Sequence, residues 1–435
     1  MKAIGLDIGT TTICATVIDY DTGLTFKTFT KKNDSALPDK TSVKRLQDTR
    51  KIRSICLSVL DEIFNEFPDI KSIGISGQMH GVLYVGNGEA KSDLITWQDG
   101  RGNLMSADSV TYAQKLSDAT GIPAASGYGL VTLLHDAENG FVPPDADSIC
   151  TIGDYIAMVL CGNKSPLLHA SNAASLGGYD ILSGRFHAGL PVEIDRRLLP
   201  EIVSGEIIIG KYREASVCCA VGDNQCSVFG SLDRDASVLV NIGTGGQISA
   251  VSGSPVNYRN NGLECRPYVG GKYLSVGASL CGGYAYNILN DFFTKTSQML
   301  GSKPPENLYE IMNAYAQQAM DNQAKPEIDT RFQGTRVDPS IRGSINNIGA
   351  DNFTPGALCL GVLEGICNEL WELSKLITPP IDKNKYLTAS GGGIRNNKLM
   401  QQILSNTFGM RLTIPTITEE AAYGAALLSA TTDGI

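Results

Sequence analysis

The first residues of the chain alternate between apolar and small or polar side chains. Ile4, Leu6 and Ile8 recur at every second position, which is the period of a β-strand. A second, β-branched run covers 13–18, and the segment 9–12 between the two runs has the composition of a tight turn. The pattern predicts a β-hairpin. Gly9 gives its turn a backbone that a ligand can approach closely.

Strand-like and helix-like patterns follow one another along the rest of the chain, which favours an α/β fold. Buried strands are predicted at 72–76, 82–85, 94–97, 206–214, 217–221 and 386–390. Apolar residues at helical spacing predict helices at 42–67, 150–160, 190–201, 278–299, 307–321, 354–376, 398–408 and 419–430. The segment 105–135 is predicted as a helix followed by a loop, and the polar segment 31–40 as a loop.

The segment 238–251 repeats the opening pattern of the chain. It contains a β-branched run, an Ile-Gly-Thr turn at 242–244 and a returning strand, in the same order as the first hairpin. Such a repeat indicates an internal duplication. Since 435 residues are too many for one hydrophobic core, the sequence predicts two domains, at 1–215 and 216–435.

The composition narrows the class of protein. Hydrophobic residues at 42% and charged residues at 19% are ordinary for a globular protein. The net charge is −9 and no block of Lys or Arg is present, which argues against nucleic acid as a partner. The eleven cysteines include no Cys-x-x-Cys pair, and neither a signal-peptide pattern nor a membrane-spanning run is seen. We therefore expect a reduced, cytoplasmic enzyme with no membrane partner.

The two hairpin turns carry the residues for binding phosphate. The first turn offers backbone N–H groups and three hydroxyls, and Asp7 just before it is suited to hold a metal ion through water. An ordinary hairpin with the same residues is the alternative for one copy, but its repetition favours a phosphate site. The predicted phosphate-binding residues are Asp7, Gly9, Thr10, Thr11 and Thr12 in the first copy and Gly243, Thr244 and Gly245 in the second.

A third glycine-rich loop follows the predicted strand at 386–390. Gly391, Gly392 and Gly393 lack side chains, so a flat purine can lie against their backbone, and Asn396 closes the loop. A simple turn between a strand and a helix is the alternative. Neither the P-loop nor the dinucleotide-binding fingerprint is present.

Asp223 is the candidate catalytic base. It follows a buried strand and precedes a helix, and phosphoryl transfer needs only a base that accepts a hydroxyl proton. The alternative is an N-cap of the helix that begins at Asn224, and the two roles are compatible.

Two further loops have the polar groups that a polyol requires. Gln78, Met79 and His80 supply an amide, an apolar contact and an imidazole from one loop, for which a structural histidine is the alternative reading of His80. The other loop supplies an aromatic wall, a carboxylate and a guanidinium from Trp97, Asp99 and Arg101.

The chain resembles the FGGY carbohydrate kinases in six motifs and in their order. The motifs are GLDIGTT at 5–11, SGQMHG at 76–81, WQDGR at 97–101, GDN at 222–224, IGTGG at 242–246 and SGGG at 390–393. The resemblance covers nearly the whole chain. It implies two actin-like (ribonuclease H-like) α/β domains with a ligand cleft between them, and ATP and Mg²⁺ as cofactors. It further implies that Asp223 deprotonates the sugar hydroxyl, that Asp7 lies beside Mg-ATP, and that 391–393 flank the adenosine.

Within the family, 120–130 and 332–336 are most similar to members that phosphorylate sedoheptulose. The resemblance therefore implies transfer of phosphate from ATP to the terminal primary hydroxyl of a ketose, by a monomer or homodimer. Xylulose or another pentulose is the alternative substrate, and a non-catalytic sugar sensor or a chaperone-like ATPase is the alternative class. The chain departs from many family members at 127–135, where they carry a Pro-rich segment, and it is shorter than usual.

Overall fold

The computed structural model describes residues 1–38, 43–203, 205–232, 236–258, 262–320, 325–335, 338 and 340–432. The chain divides into two compact units. Unit 1 comprises Met1–Gly230, Arg266–Lys272 and Ile417–Ile435, and unit 2 comprises Ser231–Cys265 and Tyr273–Thr416. The C-terminal segment therefore returns to the unit that contains the N-terminal hairpin.

Unit 1 contains one main mixed sheet, several smaller sheets and helices. Its strands are β1 (Lys2–Ile8), β2 (Thr12–Asp19), β3 (Leu24–Lys32), β4 (Leu46–Gln47), β5 (Ile70–Gly77), β6 (Leu83–Gly86), β7 (Glu89–Ala90), β8 (Leu94–Ile95), β9 (Ser148–Cys150), β10 (Leu167–His169), β11 (Tyr179–Asp180), β12 (Arg185–Phe186), β13 (Glu201–Val203), β14 (Ile208–Tyr212), β15 (Ala215–Cys218) and β16 (Val221–Gly222). Its helices before the chain enters unit 2 are α1 (Thr49–Glu66), α2 (Tyr112–Thr120), α3 (Gly129–Glu138), α4 (Ile152–Cys161), α5 (Ala170–Ser175) and α6 (Asp223–Ser231).

Unit 2 has a second mixed sheet. Its strands are β17 (Ala236–Ile242), β18 (Gly246–Ser252), β19 (Leu263–Pro267), β20 (Tyr273–Ser279), β21 (Glu327–Asp329), β22 (Ser344–Asn346), β23 (Tyr386–Ser390) and β24 (Arg411–Thr413). Its helices are α7 (Gly283–Met299), α8 (Leu308–Ala319), α9 (Pro355–Lys375), α10 (Gly392–Arg395) and α11 (Lys398–Phe408). The last helix, α12 (Glu420–Thr432), belongs again to unit 1.

Five strands of each sheet follow the same order, which supports the predicted duplication, whereas among the described residues β14, β16 and β19 have no counterpart in the other sheet. The order in unit 1 is β14-β15-β5-β1-β2-β3, and in unit 2 it is β24-β23-β17-β18-β20-β19 when read in the matching direction, with β24 in the place of β15. In unit 1, β1 pairs antiparallel with β2 and parallel with β5. In unit 2, β17 pairs antiparallel with β18 and parallel with β23.

Strand β1 is buried on both faces, and its alternate residues pack into two different clusters. Ile4, Leu6 and Ile8 lie in the main hydrophobic core of unit 1. The opposite face bears the small residues Ala3 and Gly5, because α12 packs directly against it. A methyl group on Gly5 would lie 1.7 Å from the carbonyl oxygen of Ala422 in α12.

The same helix also fixes β5 and α6. A methyl group on Gly74 of β5 would lie 1.9 Å from the carbonyl oxygen of Ala425. Ser72 in β5 forms a hydrogen bond of 2.9 Å with Ser429 of α12. Gly424 of α12 approaches the backbone of α6 equally closely, since a methyl group on Gly424 would lie 2.0 Å from the carbonyl oxygen of Cys226. Helix α12 therefore sets the positions of the three elements that lead to the predicted site.

The structure corrects several predicted boundaries. Helix α1 begins at Thr49, because the side chain of Asp48 accepts a hydrogen bond from the backbone N–H of Lys51. Helix α7 begins at Gly283, since the first two residues of the predicted helix, at 278–279, belong to β20. The predicted helix at 190–201 is wrong: among the described residues, this segment contains a single 3-10 turn at Arg196–Leu198 and the start of β13. Predicted positions 39–42 and 321 lie outside the described residues.

Among the described residues, no helix combines the length and the apolar character that crossing a membrane would require.

Replacing Gly5 with Ala should destabilise unit 1. The added methyl group overlaps the Ala422 carbonyl, and overpacking of this kind costs about 1–3 kcal/mol or more. Gly253→Ala is the matched control, because no atom lies within 4 Å of the added methyl position. Urea unfolding of both variants measures the difference. Equal stability of the two variants would contradict the proposed packing of α12.

Candidate active site

Three parallel strands of unit 1 bring the predicted chemical residues to one edge of the sheet. Strand β5 pairs in parallel with β1 on one side, with Asp7 opposite Ser76, and with β16 on the other, with Gly222 opposite Gly77. Because parallel strands end at the same edge, the segments that follow them converge there. These segments are the turn at 9–11, the loop at 78–80 and the start of α6 at Asp223.

The turn after β1 has its carbonyl groups occupied by side-chain and backbone donors. The backbone N–H of Asn33 donates to Thr11 O at 2.8 Å, and the side-chain amide of Asn33 donates to Gly9 O at 2.8 Å. The side-chain amide of Gln47 donates to Thr10 O at 2.8 Å. Carbonyl lone pairs that would repel an anion are thereby paired, while the side chains of Thr11 and Thr12 are exposed. Asn33 and Gln47 belong to no recognisable sequence motif, so the sequence did not reveal that they pair the carbonyl groups of this turn.

Two carboxylates lie close together at this edge. Oδ1 of Asp7 is buried and has no hydrogen-bond partner among the described residues. Burial raises the pKa of Asp7 to about 6, the hydroxyl of Ser76 opposes this rise, and the negative charge of Glu419 adds a smaller contribution to it. Burial raises the pKa of Asp223 to about 7, and the neighbouring charge of Asp7 adds to this rise.

Asp223 lies where the sequence predicted, after a buried strand and at the first residue of a helix. Its Oδ1 accepts a hydrogen bond of 2.7 Å from the backbone N–H of Asn224, the next residue along the chain. The side chain of Arg266 donates to Oδ1 of Asn224 at 3.2 Å, and its positive charge lowers the pKa of Asp223 against the larger effect of burial. Arg266 therefore places a positive charge near this edge of the sheet, although the net charge of the whole chain is −9.

Met79 packs against the backbone that leads into Asp223. A methyl group on Gly222 would lie 2.8 Å from the sulfur of Met79 and 2.6 Å from Oε1 of Gln225. Met79 is 6% exposed. Glycine at 222 therefore allows the loop after β5 to approach the start of α6, and a larger residue there would separate them.

His80 is held in a left-handed backbone conformation, with φ of +70°. Its backbone N–H donates to Ser175 Oγ at 3.2 Å, and its Nδ1 lies 2.8 Å from Ser175 O. Since a carbonyl only accepts, Nδ1 carries the proton and Nε2 is the acceptor in the neutral ring. The ring stacks on Tyr128 with centroids 4.4 Å apart. Tyr128 was not among the predicted site residues, although it lies in the 120–130 segment singled out by the resemblance.

Gln78 and Trp97 are both connected to the turn after β1. The hydroxyl of Thr10 donates to Oε1 of Gln78 at 3.3 Å and accepts from Nε1 of Trp97 at 3.1 Å. Gln78 is buried, whereas the ring of Trp97 is 46% exposed. The predicted phosphate turn and the two predicted sugar loops are therefore connected by hydrogen bonds within unit 1.

Asp99 and Arg101 are buried and bonded to each other. Oδ1 of Asp99 accepts from Nε of Arg101 at 2.8 Å, and Oδ2 accepts from the backbone N–H of Arg45 at 3.0 Å. Arg101 also donates to Asp136 at 2.8 Å, and Tyr84 donates to the same carboxylate at 3.0 Å. The structure therefore places both residues in a network that anchors the loop carrying Trp97. Their predicted contact with a sugar stays a prediction.

Unit 2 shows the corresponding arrangement at the ends of β17 and β23. The side chain of Asn241 donates to Ser390 Oγ at 2.8 Å, and these residues are register partners. Gly391 has a φ of +94°, and a methyl group there would lie 2.5 Å from the carbonyl oxygen of Ile242. The two glycine-rich segments therefore lie at one edge of the sheet.

The turn at 243–245 and the loop at 391–396 present backbone at that edge. Gly283 at the start of α7 donates to Gly243 O at 2.8 Å, and Tyr284 donates to Thr244 O at 2.9 Å. No atom of the described residues lies within 4 Å of a methyl position on Gly243 or Gly392. Gly392, Gly393 and Asn396 are exposed. Their backbone is therefore open to a ligand.

Comparison with known proteins decides the family. Residues 2–238 match the profile described as "FGGY family of carbohydrate kinases, N-terminal domain", and residues 238–432 match that of its C-terminal domain. The chain belongs to the FGGY family of carbohydrate kinases. This FGGY chain is therefore a phosphotransferase, and FGGY kinases use ATP as the phosphate donor.

Individual relatives match this chain over nearly its whole length. A sedoheptulokinase from Mus musculus is 27% identical, covering 98% of this chain and 96% of its own length. A xylulose kinase from Staphylococcus xylosus is 25% identical, covering 98% of this chain and 90% of its own length. The crystal structure of a xyloylose kinase from Brucella ovis superposes with a TM-score of 0.82 at 20% identity, covering 100% of this chain and 91% of that one. The predicted actin-like α/β fold is confirmed.

Replacing Asp223 with Asn should stabilise this FGGY kinase at high pH. An unfolded Asp loses its proton near pH 4, whereas folded Asp223 holds it up to about pH 7, so the wild type loses stability as the pH rises between these values. We expect the variant to gain about 1–2 kcal/mol relative to the wild type between pH 5 and pH 8, measured by urea unfolding.

Asp195→Asn is the control for this experiment. Arg197 lowers the pKa of Asp195 to about 2, so the residue is ionised in both folded and unfolded chains throughout that pH range. Its effect on the free energy of unfolding should be independent of pH from 5 to 8. The interpretation of Asp223 fails if both substitutions show the same pH dependence.

Proposed function

We propose that this FGGY kinase transfers phosphate from ATP to the terminal primary hydroxyl of a ketose, with Asp223 as the base. The observation that carries the proposal is the pair of carboxylates at the ends of β1 and β16, the strands on either side of β5, one with a pKa raised to about 7. A base with this pKa is poised to accept a proton near neutral pH. The deprotonated hydroxyl oxygen then attacks the terminal phosphate and ADP leaves.

Asp7 fits a second role beside Asp223. Its buried Oδ1 has no hydrogen-bond partner among the described residues, and a carboxylate oxygen is the ligand type that Mg²⁺ prefers. We assign Asp7 to hold Mg²⁺ through water, and the ion would neutralise phosphate charge. Thr11 and Thr12 then offer hydroxyls, and Thr10 and the rest of the turn offer backbone N–H groups, to phosphate oxygens, with the turn carbonyls paired elsewhere.

The nucleotide-binding segments of unit 2 are proposed on the same physical basis. The turn at Gly243, Thr244 and Gly245 repeats the fold of the first turn, and we assign it to phosphate. Gly391 to Gly393 and Asn396 are assigned to the adenosine, because side chains are absent from an exposed backbone edge.

The sugar contacts are assigned to the loops after β5 and β8. His80 is held with Nε2 as an acceptor, Met79 supplies an apolar contact and the exposed ring of Trp97 supplies a wall. Gln78 reaches the sugar through its remaining amide hydrogen. We keep Asp99 and Arg101 in the sugar site as predicted, and their buried ion pair indicates that they hold the loop of Trp97 in place.

Sedoheptulose is the proposed substrate and a pentulose such as xylulose is the alternative. Two sedoheptulokinases, at 27% and 26% identity, match almost the full chain, and xylulose kinases follow at 25%. A sugar sensor without catalysis is disfavoured by the intact carboxylate pair, because a binding protein has no need for a carboxylate with a raised pKa.

Asp223→Asn should abolish turnover without abolishing binding. Loss of a general base lowers kcat by about 10²–10⁴-fold, while sugar and ADP affinities measured by calorimetry should stay within a few-fold of wild type. In the wild type, kcat/KM for the sugar should fall about tenfold per pH unit below pH 7, because Asp223 becomes protonated. Near wild-type turnover in the variant would exclude Asp223 as the base.

A panel of sedoheptulose, xylulose and glycerol tests the substrate. We expect sugar-dependent ADP release with the highest kcat/KM for sedoheptulose. His80→Asn should raise the sugar KM about five- to thirtyfold while the KM for ATP stays within about twofold, since a lost hydrogen bond to a substrate costs about 1–2 kcal/mol. His187→Asn is the matched control. Absence of stimulation by any member would favour the sensor.

A further inference from the structure

Gln47 joins the turn after β1 to the loop after β5 through a closed ring of hydrogen bonds. Its Nε2 donates to Thr10 O at 2.8 Å, and its Oε1 accepts from Nε2 of Gln78 at 2.8 Å. The ring closes because the Thr10 hydroxyl donates to Oε1 of Gln78 at 3.3 Å. Trp97 extends it by donating to the same hydroxyl.

The directions of these bonds are mutually determined. Thr10 O can only accept, so the NH₂ group of Gln47 must face it. The oxygen of Gln47 then faces Gln78, which must present its own NH₂ group and leave its oxygen for the Thr10 hydroxyl. Turning either amide over would place oxygen against oxygen or nitrogen against nitrogen. The ring therefore has one arrangement.

Gln47 is placed in this ring by the fold and is shielded from water. It lies on β4, pairs with Leu94 of β8 and is 3% exposed. Gln78 is also 3% exposed, so the bond between the two amides is made where water competes poorly. A buried amide with both ends bonded is costly to disrupt, because each lost partner leaves a polar group unpaired.

We propose that Gln47 is a positioning residue, which holds the phosphate turn and the sugar loop in a fixed relative geometry. The inference rests on the proposed function, which assigns Thr10 to phosphate and Gln78 to sugar. Gln47 itself touches neither substrate. It acts by fixing the distance between the segments that do, and small displacements of reacting groups lower the rate strongly.

Gln47→Leu tests the proposal, with Thr49→Val as the matched control. Leu removes both amide bonds at similar volume. Thr49 lies two residues away, is equally buried and donates one hydrogen bond of 3.2 Å to Ser92 O outside the ring. We expect kcat to fall at least about tenfold in Gln47→Leu, with KM for sugar and ATP within about threefold, and to change less than about twofold in Thr49→Val. Rates are expressed per active site, determined by titration with bound ADP.

The fluorescence of Trp97 provides a readout that does not depend on turnover. The chain has two tryptophans, so a Trp371→Phe background leaves Trp97 as the reporter. The indole N–H of Trp97 donates to the Thr10 hydroxyl, which belongs to the ring of hydrogen bonds. Gln47→Leu should therefore shift the Trp97 emission in the ligand-free protein, whereas Thr49→Val should not. An unshifted emission, or a kcat equal to that of Thr49→Val, would overturn the proposal. Failure of the proposed function would instead appear as a wild type that phosphorylates no ketose while the emission shift persists.

Discussion

The close approach of α12 to the small-residue faces of unit 1 is the contact on which the candidate site depends. Its backbone lies directly against Gly5 of β1 and Gly74 of β5, and Gly424 lets α6 approach the same helix. These three elements lead to Asp7, to the loop at 78–80 and to Asp223. A helix from the C-terminal segment therefore fixes residues from the first and middle parts of the chain, and side chains at these glycines would move Asp7, the loop at 78–80 and Asp223 apart.

Close packing also raises the pKa values of the two carboxylates in the candidate site. Burial removes water from Asp7 and Asp223, and their proximity makes it costly to ionise both. The same effect that weakens the folded state above pH 4 brings the pKa of Asp223 to the range useful for a base. Arg266 and the helix start at Asn224 counter part of this cost, so the carboxylate still ionises near neutral pH.

Polar residues in unit 1 form two groups with different surroundings. Asp99, Arg101 and Asp136 are buried, and the guanidinium of Arg101 bonds to both carboxylates, so each of these buried charges has a partner of opposite sign. Thr10, Gln78 and Trp97 share hydrogen bonds at the edge where the strands end, and the Trp97 ring is open to solvent. The first group anchors the loop that carries Trp97, and the second connects that loop to the turn after β1.

The sequence by itself determined the elements whose signals are local. The turn at Gly9, the repeat at Gly243 and the position of Asp223 between strand and helix follow from residue types within a few positions, and the family follows from their order. Only the tertiary structure decided that Asp99 bonds to Arg101, that Tyr128 stacks on His80 and that Gln47 links Thr10 to Gln78. The contacts of Tyr128 and Gln47 join segments distant in the chain, and an isolated glutamine or tyrosine leaves no periodic or turn-forming signal from which its partner can be deduced. Asp99 and Arg101 are close in sequence, but their burial and their shared contact with Asp136 depend on the packing of separate elements.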